Sequence, residues 1–128
     1  MGVLDRLFGR DTALVPATET VSGASPCFAV VDVETTGLSL QSSRVLEMAV
    51  VLTDTRGIPV WEWSSRFNPE GPVGATHIHG ITDADVADAP LMAEWLPYIS
   101  QALAGRVVVA HNAGFDLTPL TSRRSRRC

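Results

Sequence analysis

Four runs of apolar residues divide this chain into candidate strands. The run at residues 27–33 is almost continuous, which predicts a strand that is buried on both faces in the middle of a sheet. Two more runs, at 45–53 and 58–67, flank the turn sequence Asp54-Thr55-Arg56-Gly57. Together these three predict an antiparallel meander. A short fourth run occupies residues 107–110.

Helical signals lie between the third and fourth runs. Thr82 with Asp85 three residues later is typical of a capping box that starts a short helix. Pro90 at a first helical position predicts a second helix, with a kink or restart at Pro97. The apolar residues of that second helix recur at near-helical spacing: Leu91, Trp95, Ile99 and Leu103.

The element order β-β-β-α-β-α predicts an α+β or a mixed α/β fold. We expect the α/β class, with a mixed, twisted sheet made of the antiparallel meander and a parallel fourth strand, and with flanking helices. Residues 1–26 are predicted to be an N-terminal segment and linker: residues 1–10 indicate a short docking helix or a frayed end, and residues 11–26 mix Thr, Ser, Ala, Gly and Pro without a sustained period. The domain itself is predicted at 27–120, followed by an Arg-rich tail at 121–128.

The charge pattern argues against a general polyanion-binding surface. The 128 residues carry a net charge of -4, and all ten basic residues are Arg. Four of those ten lie in the tail, so the body is strongly acidic and any nucleic-acid contact should be local and metal-assisted. No uncharged stretch approaches the roughly 20 apolar residues of a membrane span. The two cysteines form no disulfide framework, so we expect a cytoplasmic protein without membrane contact.

Three acids fall at the ends of predicted strands. Asp32 and Glu34 are two positions apart, so their side chains share one face, with Cα atoms about 6.6 Å apart. Asp116 follows the fourth strand and can face the same pocket if that strand lies beside the first. Carboxylate oxygens suit Mg²⁺ or Mn²⁺, which predicts a metal site. A D-x-E pair alone is more often solvated or a cap, so its context decides.

Two motifs and a short element between them carry a family resemblance. Residues 31–38, VDVETTGL, resemble the first motif of the DnaQ-like, or DEDD, 3'-5' exonucleases, the family of the bacterial DNA polymerase III epsilon subunit. Residues 109–116, VAHNAGFD, resemble the second motif, and residues 79–82, HGIT, resemble the element found between the two. The resemblance covers about residues 27–120, in matching order and context.

The resemblance implies a ribonuclease H-like fold and removal of nucleotides from the 3' end of single-stranded DNA, with two divalent ions, Mg²⁺ or Mn²⁺. It implies that Asp32 contacts both ions, that Glu34 holds one, and that Asp116 assists the second through water. A DNA polymerase subunit is the implied protein partner. The residues that the resemblance assigns to substrate binding are Thr35, Thr36, Gly37, Leu38, His79, Asn112 and Phe115.

Histidine and tryptophan side chains allow a second interpretation in each case. His79 and His111 suit general-base catalysis near neutral pH, but we interpret His79 as shaping the pocket rim and His111 as ordering a strand-to-helix turn. Trp61 and Trp63 alternate with Glu62 on the third predicted strand. That alternation predicts packing against the sheet rather than a platform for stacking bases.

The chain departs from the family pattern at its end. No His follows His111 and no Asp follows Asp116, so the family's third motif, with its general base and fourth carboxylate, is missing. We interpret the final TSRRSRRC as a truncation or a frameshifted reading.

Two alternative functions stay open: an inactive exonuclease-like module that binds a single-stranded end or a polymerase, and an RNA-trimming exonuclease.

Overall fold

The computed structural model describes residues 26–39 and 41–111 of the chain. Within them lie four strands and three helices. In chain order they are β1 (Phe28–Thr35), β2 (Val45–Thr53), β3 (Pro59–Arg66), α1 (Thr76–His79), α2 (Asp83–Val86), α3 (Met92–Leu103) and β4 (Val107–Ala110).

One four-stranded sheet has the order β3-β2-β1-β4. β1, β2 and β3 pair as an antiparallel meander, and β4 joins β1 in parallel, with Val31 beside Ala110. These pairings confirm the predicted mixed sheet. The three helices lie in the connection from β3 to β4, which crosses the sheet because these two strands stand at opposite ends of the order β3-β2-β1-β4.

The main core lies between one face of the sheet and α3. Alternate residues of β1 and β2 supply the sheet side, including Ala29, Val31 and Val50, and Ile99 is the fully buried residue that α3 adds to this cluster. Trp63 is buried in this cluster, with its ring centroid 5.8 Å from that of Trp95. The prediction that Trp63 packs against the sheet is therefore confirmed, and the partly buried Trp61 packs against the same cluster.

A smaller core fixes the loops at the start of β2. Leu46, Val73, Ile81 and Val86 bury their side chains together. The predicted capping box is present: the Thr82 hydroxyl accepts from the Asp85 N–H, and the Asp85 carboxylate accepts from the Thr82 N–H at 2.8 Å. Segment 73–86 is thereby held against the sheet even though its helices are only one turn each.

Four sequence predictions need correction in this part of the chain. β1 continues to Thr35, and Val30 is 40% exposed, so β1 is not buried on both faces; α3 packs on the face that holds Val31. The residues 76–79 form a helical turn that the sequence did not predict. α3 begins at Met92 rather than Pro90, whose carbonyl accepts a hydrogen bond from the Asn68 N–H. α3 also continues through Pro97 without a restart.

Candidate active site

Asp32 and Glu34 lie on the same face of the sheet, near the carboxyl end of β1. Both are half-buried, because β1 is an interior strand of the sheet. They share a face because alternate residues of a strand point to the same side. Across the pairing with β2, Asp32 stands opposite Ala49 and Glu34 stands opposite Glu47. The small side chain of Ala49 leaves space beside Asp32, while Glu47 places a second carboxylate next to Glu34. The site is therefore more acidic than the sequence pattern predicted.

The predicted third acid, Asp116, lies outside the described residues, as do Asn112 and Phe115. The structure describes the strand that precedes these residues in the chain. β4 runs parallel to β1 and ends at Ala110, which is paired with Val31, so His111 follows at the level of Asp32. Two parallel strands carry their carboxyl ends to the same edge of a sheet. The convergence of Asp116 with the β1 acids stays a prediction, as do the binding roles of Asn112 and Phe115.

The loop after β1 is braced by its own hydroxyl groups. The Thr35 hydroxyl donates to the Gly37 carbonyl at 2.6 Å, and the Thr36 hydroxyl accepts from the Arg44 N–H at 3.0 Å. Each hydroxyl keeps one capability: Thr35 can still accept a hydrogen bond, and Thr36 can still donate one. Leu38 is 89% exposed and offers an apolar face. The substrate contacts predicted for these residues stay predictions, with this hydrogen-bonding capacity available to them.

A second loop, at residues 73–80, packs against the first. Gly74 has a positive φ of 55°, and a Cβ built there would lie 2.9 Å from the Thr36 carbonyl oxygen. Only glycine allows the two backbones to approach so closely in this conformation. The rim of the site is thus built from both loops together.

His79 is buried and makes two hydrogen bonds to the backbone. Its Nδ1 accepts from the Ile81 N–H at 3.0 Å, which requires the neutral ring to donate from Nε2 to the Gly74 carbonyl at 2.8 Å. Both ring nitrogens are occupied, so His79 holds the rim loop in shape and has no nitrogen left to act as a general base. Direct contact between His79 and substrate stays a prediction.

The ion pair between Glu47 and Arg66 is not predicted by the sequence motifs. Glu47 is 4% exposed, and its Oε2 accepts from the Arg66 Nε at 2.9 Å. Arg66 stands directly opposite Glu47 in the β2–β3 pairing and also approaches Asp85, with 3.8 Å between Nη1 and Oδ1. A signal was present: Glu47 is the single charge in the apolar run at 45–53, and a charge there is costly unless it is paired.

The described residues alone do not complete a metal site. Within 26–39 and 41–111, no three His, Cys, Asp or Glu side chains come close enough together to hold an ion. Asp32 and Glu34 supply the hard oxygen donors that suit Mg²⁺ or Mn²⁺, and a third ligand must come from elsewhere.

The described helices include none that is long and apolar enough to cross a membrane.

Comparison with known proteins decides the family. A model of the Exonuclease family matches residues 29–125, which is more than half of the chain and includes all three predicted acids. The chain belongs to the Exonuclease family. The resemblance of the two motifs to the epsilon subunit is confirmed, because similar proteins are named as components of DNA polymerase III.

Two such relatives show how far the likeness extends. The PolC-type DNA polymerase III of Caldanaerobacter subterraneus is 38% identical over 98 residues, which are 75% of this chain and 7% of that protein. The DNA polymerase III epsilon subunit of Treponema pallidum is 34% identical over 100 residues, 77% of this chain and 46% of that one. This exonuclease-family chain therefore spans less than half the length of either relative.

Solved structures confirm the fold. Exonuclease I of E. coli in complex with a dT13 oligonucleotide superposes with a TM-score of 0.67 at 19% identity, covering 75% of this chain and 23% of that one. Exonuclease I of Methylocaldum szegediense gives a TM-score of 0.62 at 24% identity, covering 72% and 22%. The predicted ribonuclease H-like architecture is the one these enzymes share.

Proposed function

We propose that this chain is a metal-dependent exonuclease domain that removes nucleotides from the 3' end of single-stranded DNA. The observation that carries the proposal is the placement of Asp32 and Glu34 on one sheet face, directly before the braced Thr36-Gly37-Leu38 loop. Membership of the Exonuclease family supports the reaction class. The names of the relatives, and the oligonucleotide held by E. coli exonuclease I, support DNA as substrate.

Two divalent cations, Mg²⁺ or Mn²⁺, are the cofactors we assign to the site. Asp32 and Glu34 fit such ions because they are hard anionic donors brought to one face, and because two acids this close repel unless a cation compensates them. A pair of such ions activates water and stabilises the leaving oxygen of a phosphodiester. Asp116 is the third ligand in this proposal.

The protein's own residues position the strand end in this proposal. Thr35 accepts and Thr36 donates hydrogen bonds at the terminal sugar, and Leu38 packs on the terminal base. His79 keeps the opposite rim in place through its two backbone hydrogen bonds. Each contact orients the terminal phosphodiester relative to the carboxylates, which is how a positioned site lowers the barrier.

Degradation of an end-labelled single strand tests the proposal. With Mn²⁺, the 3'-labelled strand should release labelled mononucleotide at once, and the 5'-labelled strand should give a ladder. Asp32→Ala should slow release by about 100-fold or more, since it removes transition-state charge stabilisation. Asp88→Ala, which removes an exposed acid outside the site, is the matched control and should leave the rate unchanged. Equal rates for Asp32→Ala and the unaltered chain would contradict the proposal.

The same assay separates the alternatives. Binding of a 3' end without turnover identifies an inactive end-binding module, and faster release from a matched RNA strand identifies an RNA-trimming enzyme. DNA polymerase is the partner class that we infer from the names of the relatives. A cytoplasmic location stays a prediction from the sequence.

A further inference from the structure

Glu47 is a buried acid beside the site that the proposed function leaves unused. It is directly opposite Glu34 in the β1–β2 pairing, and opposite residues of paired strands have Cβ atoms roughly 5 Å apart on one face. Among the described residues, only one of its carboxylate oxygens is hydrogen-bonded. Oε2 accepts from Arg66, while the buried Oε1 has no hydrogen-bond partner within 26–39 and 41–111. A buried carboxylate oxygen without a donor is costly, so its retention calls for an explanation.

Arg66 explains how a third acid is tolerated in this place. Two like charges opposite each other in a sheet destabilise the pairing unless a cation lies nearby. The Arg66 guanidinium provides that cation at 2.9 Å from Glu47, and its own side chain is 31% exposed, so it keeps some hydration. Arg66 therefore offsets the charge of Glu47, but it leaves Oε1 unsatisfied.

Direct ligation of a cation does not account for Oε1. Among the described residues no three carboxylates or other ligand side chains come together at ion-binding distance, so Glu47 is not a third ligand beside Asp32 and Glu34. A carboxylate oxygen just outside the set of metal ligands can instead accept a hydrogen bond from a water molecule bound to the cation. Mg²⁺ and Mn²⁺ sites retain water molecules, and these waters donate strong hydrogen bonds to carboxylates of the surrounding protein.

We propose that Glu47 is a positioning residue for the metal site, whose Oε1 accepts a hydrogen bond from the hydration shell of the cation held by Asp32 and Glu34. Arg66 fixes the Glu47 carboxylate through Oε2, on the sheet face that Glu34 also occupies. This inference rests on the proposed function, because it requires a cation at the two β1 acids. It assigns the Glu47–Arg66 pair a role in metal affinity as well as in the packing of β2 on β3.

Mn²⁺ affinity of the full chain, measured by electron paramagnetic resonance of free Mn²⁺, tests this role without relying on activity. Glu47→Gln keeps the shape and an oxygen for Arg66, but it presents an amide donor in place of Oε1. The dissociation constant should rise about 10-fold or more, as it does when an outer partner of a metal site is lost. The melting temperature in EDTA should remain close to that of the unaltered chain.

Glu62→Gln is the matched control. Glu62 is exposed on β3 and pairs with Val51, which is four residues from Glu47 and so about 13 Å along the strand. It shares the sheet face of Glu47, but a charge at that distance is largely screened at 0.1 M salt, so its Mn²⁺ affinity should change by less than about twofold. The double variant Glu47→Gln/Arg66→Met removes both charges and should fold and lose Mn²⁺ affinity as the single variant does.

The outcomes separate this inference from the proposed function. Mn²⁺ affinity that is unchanged in Glu47→Gln, or reduced equally in Glu62→Gln, overturns the role of Glu47 even where the unaltered chain degrades DNA. A chain that binds Mn²⁺ through Asp32 but degrades no strand overturns the proposed function, and the Glu47→Gln affinity then decides the inference separately. Absence of Mn²⁺ binding by the unaltered chain overturns both.

Discussion

At the scale of single residues, the rim of the site depends on one close contact between backbones. The Thr36 carbonyl oxygen reaches the place where a side chain at Gly74 would begin, and the Gly74 carbonyl is also the group to which His79 donates. Gly74 therefore joins the loop after β1 to the loop before α1. A change at this one position acts on both loops.

Gly74→Ala should destabilise the protein by about 2–3 kcal/mol, because the new Cβ adds a clash with the Thr36 backbone to the cost of a left-handed conformation. Gly57→Ala isolates the cost of the left-handed conformation, since Gly57 also has positive φ but no atom of the described residues lies within 4 Å of the new Cβ. It should cost only about 1–2 kcal/mol. Urea unfolding of both variants measures the difference, and equal losses would show that the contact with Thr36 is unimportant.

The residues show where sequence reasoning stops. Asp32 and Glu34 were predicted on one face because alternation along a strand is a local property. The partnership of Glu47 with Glu34 and Arg66 depends on the register of three strands, which the pattern of any one strand leaves open. Likewise, the two hydrogen bonds of His79 depend on a helical turn that no capping or periodic signal predicted.

At the scale of elements, the turn between β2 and β3 is organised around one carboxylate. Asp54 Oδ1 accepts from the N–H groups of Arg56 and Ile58 at 2.8 and 2.9 Å, and Oδ2 accepts from the Arg56 guanidinium. The hydrogen bond from Ile58 is the largest cause that lowers the pKa of Asp54, with the Arg56 bonds adding to it and burial opposing it. The turn between β2 and β3 is therefore stabilised more strongly by the ionised form of Asp54 than by the protonated form.

Asp54→Asn should therefore lower the melting temperature at pH 7. Because the folded-state pKa lies below the ordinary value of about 4, the stabilising effect of Asp54 is full above that value and is lost as pH falls through the folded-state pKa. The difference in melting temperature between the two proteins should shrink from pH 5 to pH 2. A difference that stays constant over this pH range would contradict the interpretation that the turn depends on the ionised carboxylate.

The helix α3 carries an avoidable cost at Pro97. Proline lacks the N–H that would donate to the carbonyl four residues earlier, yet the helix continues through it on the exposed side. Pro97→Ala should stabilise the protein by about 1–2 kcal/mol, which is the interior cost of proline less the greater freedom of the unfolded chain. A rise in melting temperature checks this, with Ser100→Pro, at an exposed position in the interior of the same helix, as a variant that should lower it.

At the scale of the whole molecule, the two faces of the sheet differ in what covers them. Val31 faces the core beneath α3 and is 2% exposed, whereas its neighbour Val30 is 40% exposed on the face of the acids, beside the equally exposed Val109. The apolar run of β1 predicts burial on both faces, because a continuous run does not show which face another layer covers.

Val31→Thr should cost about 1–3 kcal/mol, since it buries a hydroxyl without an assured partner. Val30→Thr is the matched change on the other face and should stay within about 0.5 kcal/mol of the unaltered chain. Guanidinium unfolding measures both values. Equal costs would mean that the acidic face is as well covered as the core face.

The position of β4 in the sheet has a consequence for how the chain folds. β1, β2 and β3 are neighbours in sequence, so their pairing closes only short loops, whereas Phe28 pairs with Val107 across about 80 positions. Contacts between distant segments form slowly. The meander should accordingly form first and wait with one side of β1 open, and pulse-labelling hydrogen exchange should protect β2 amides before those of β4. The strand that carries both acids is thus completed at the slowest step, and the site acquires its final backbone only when folding ends.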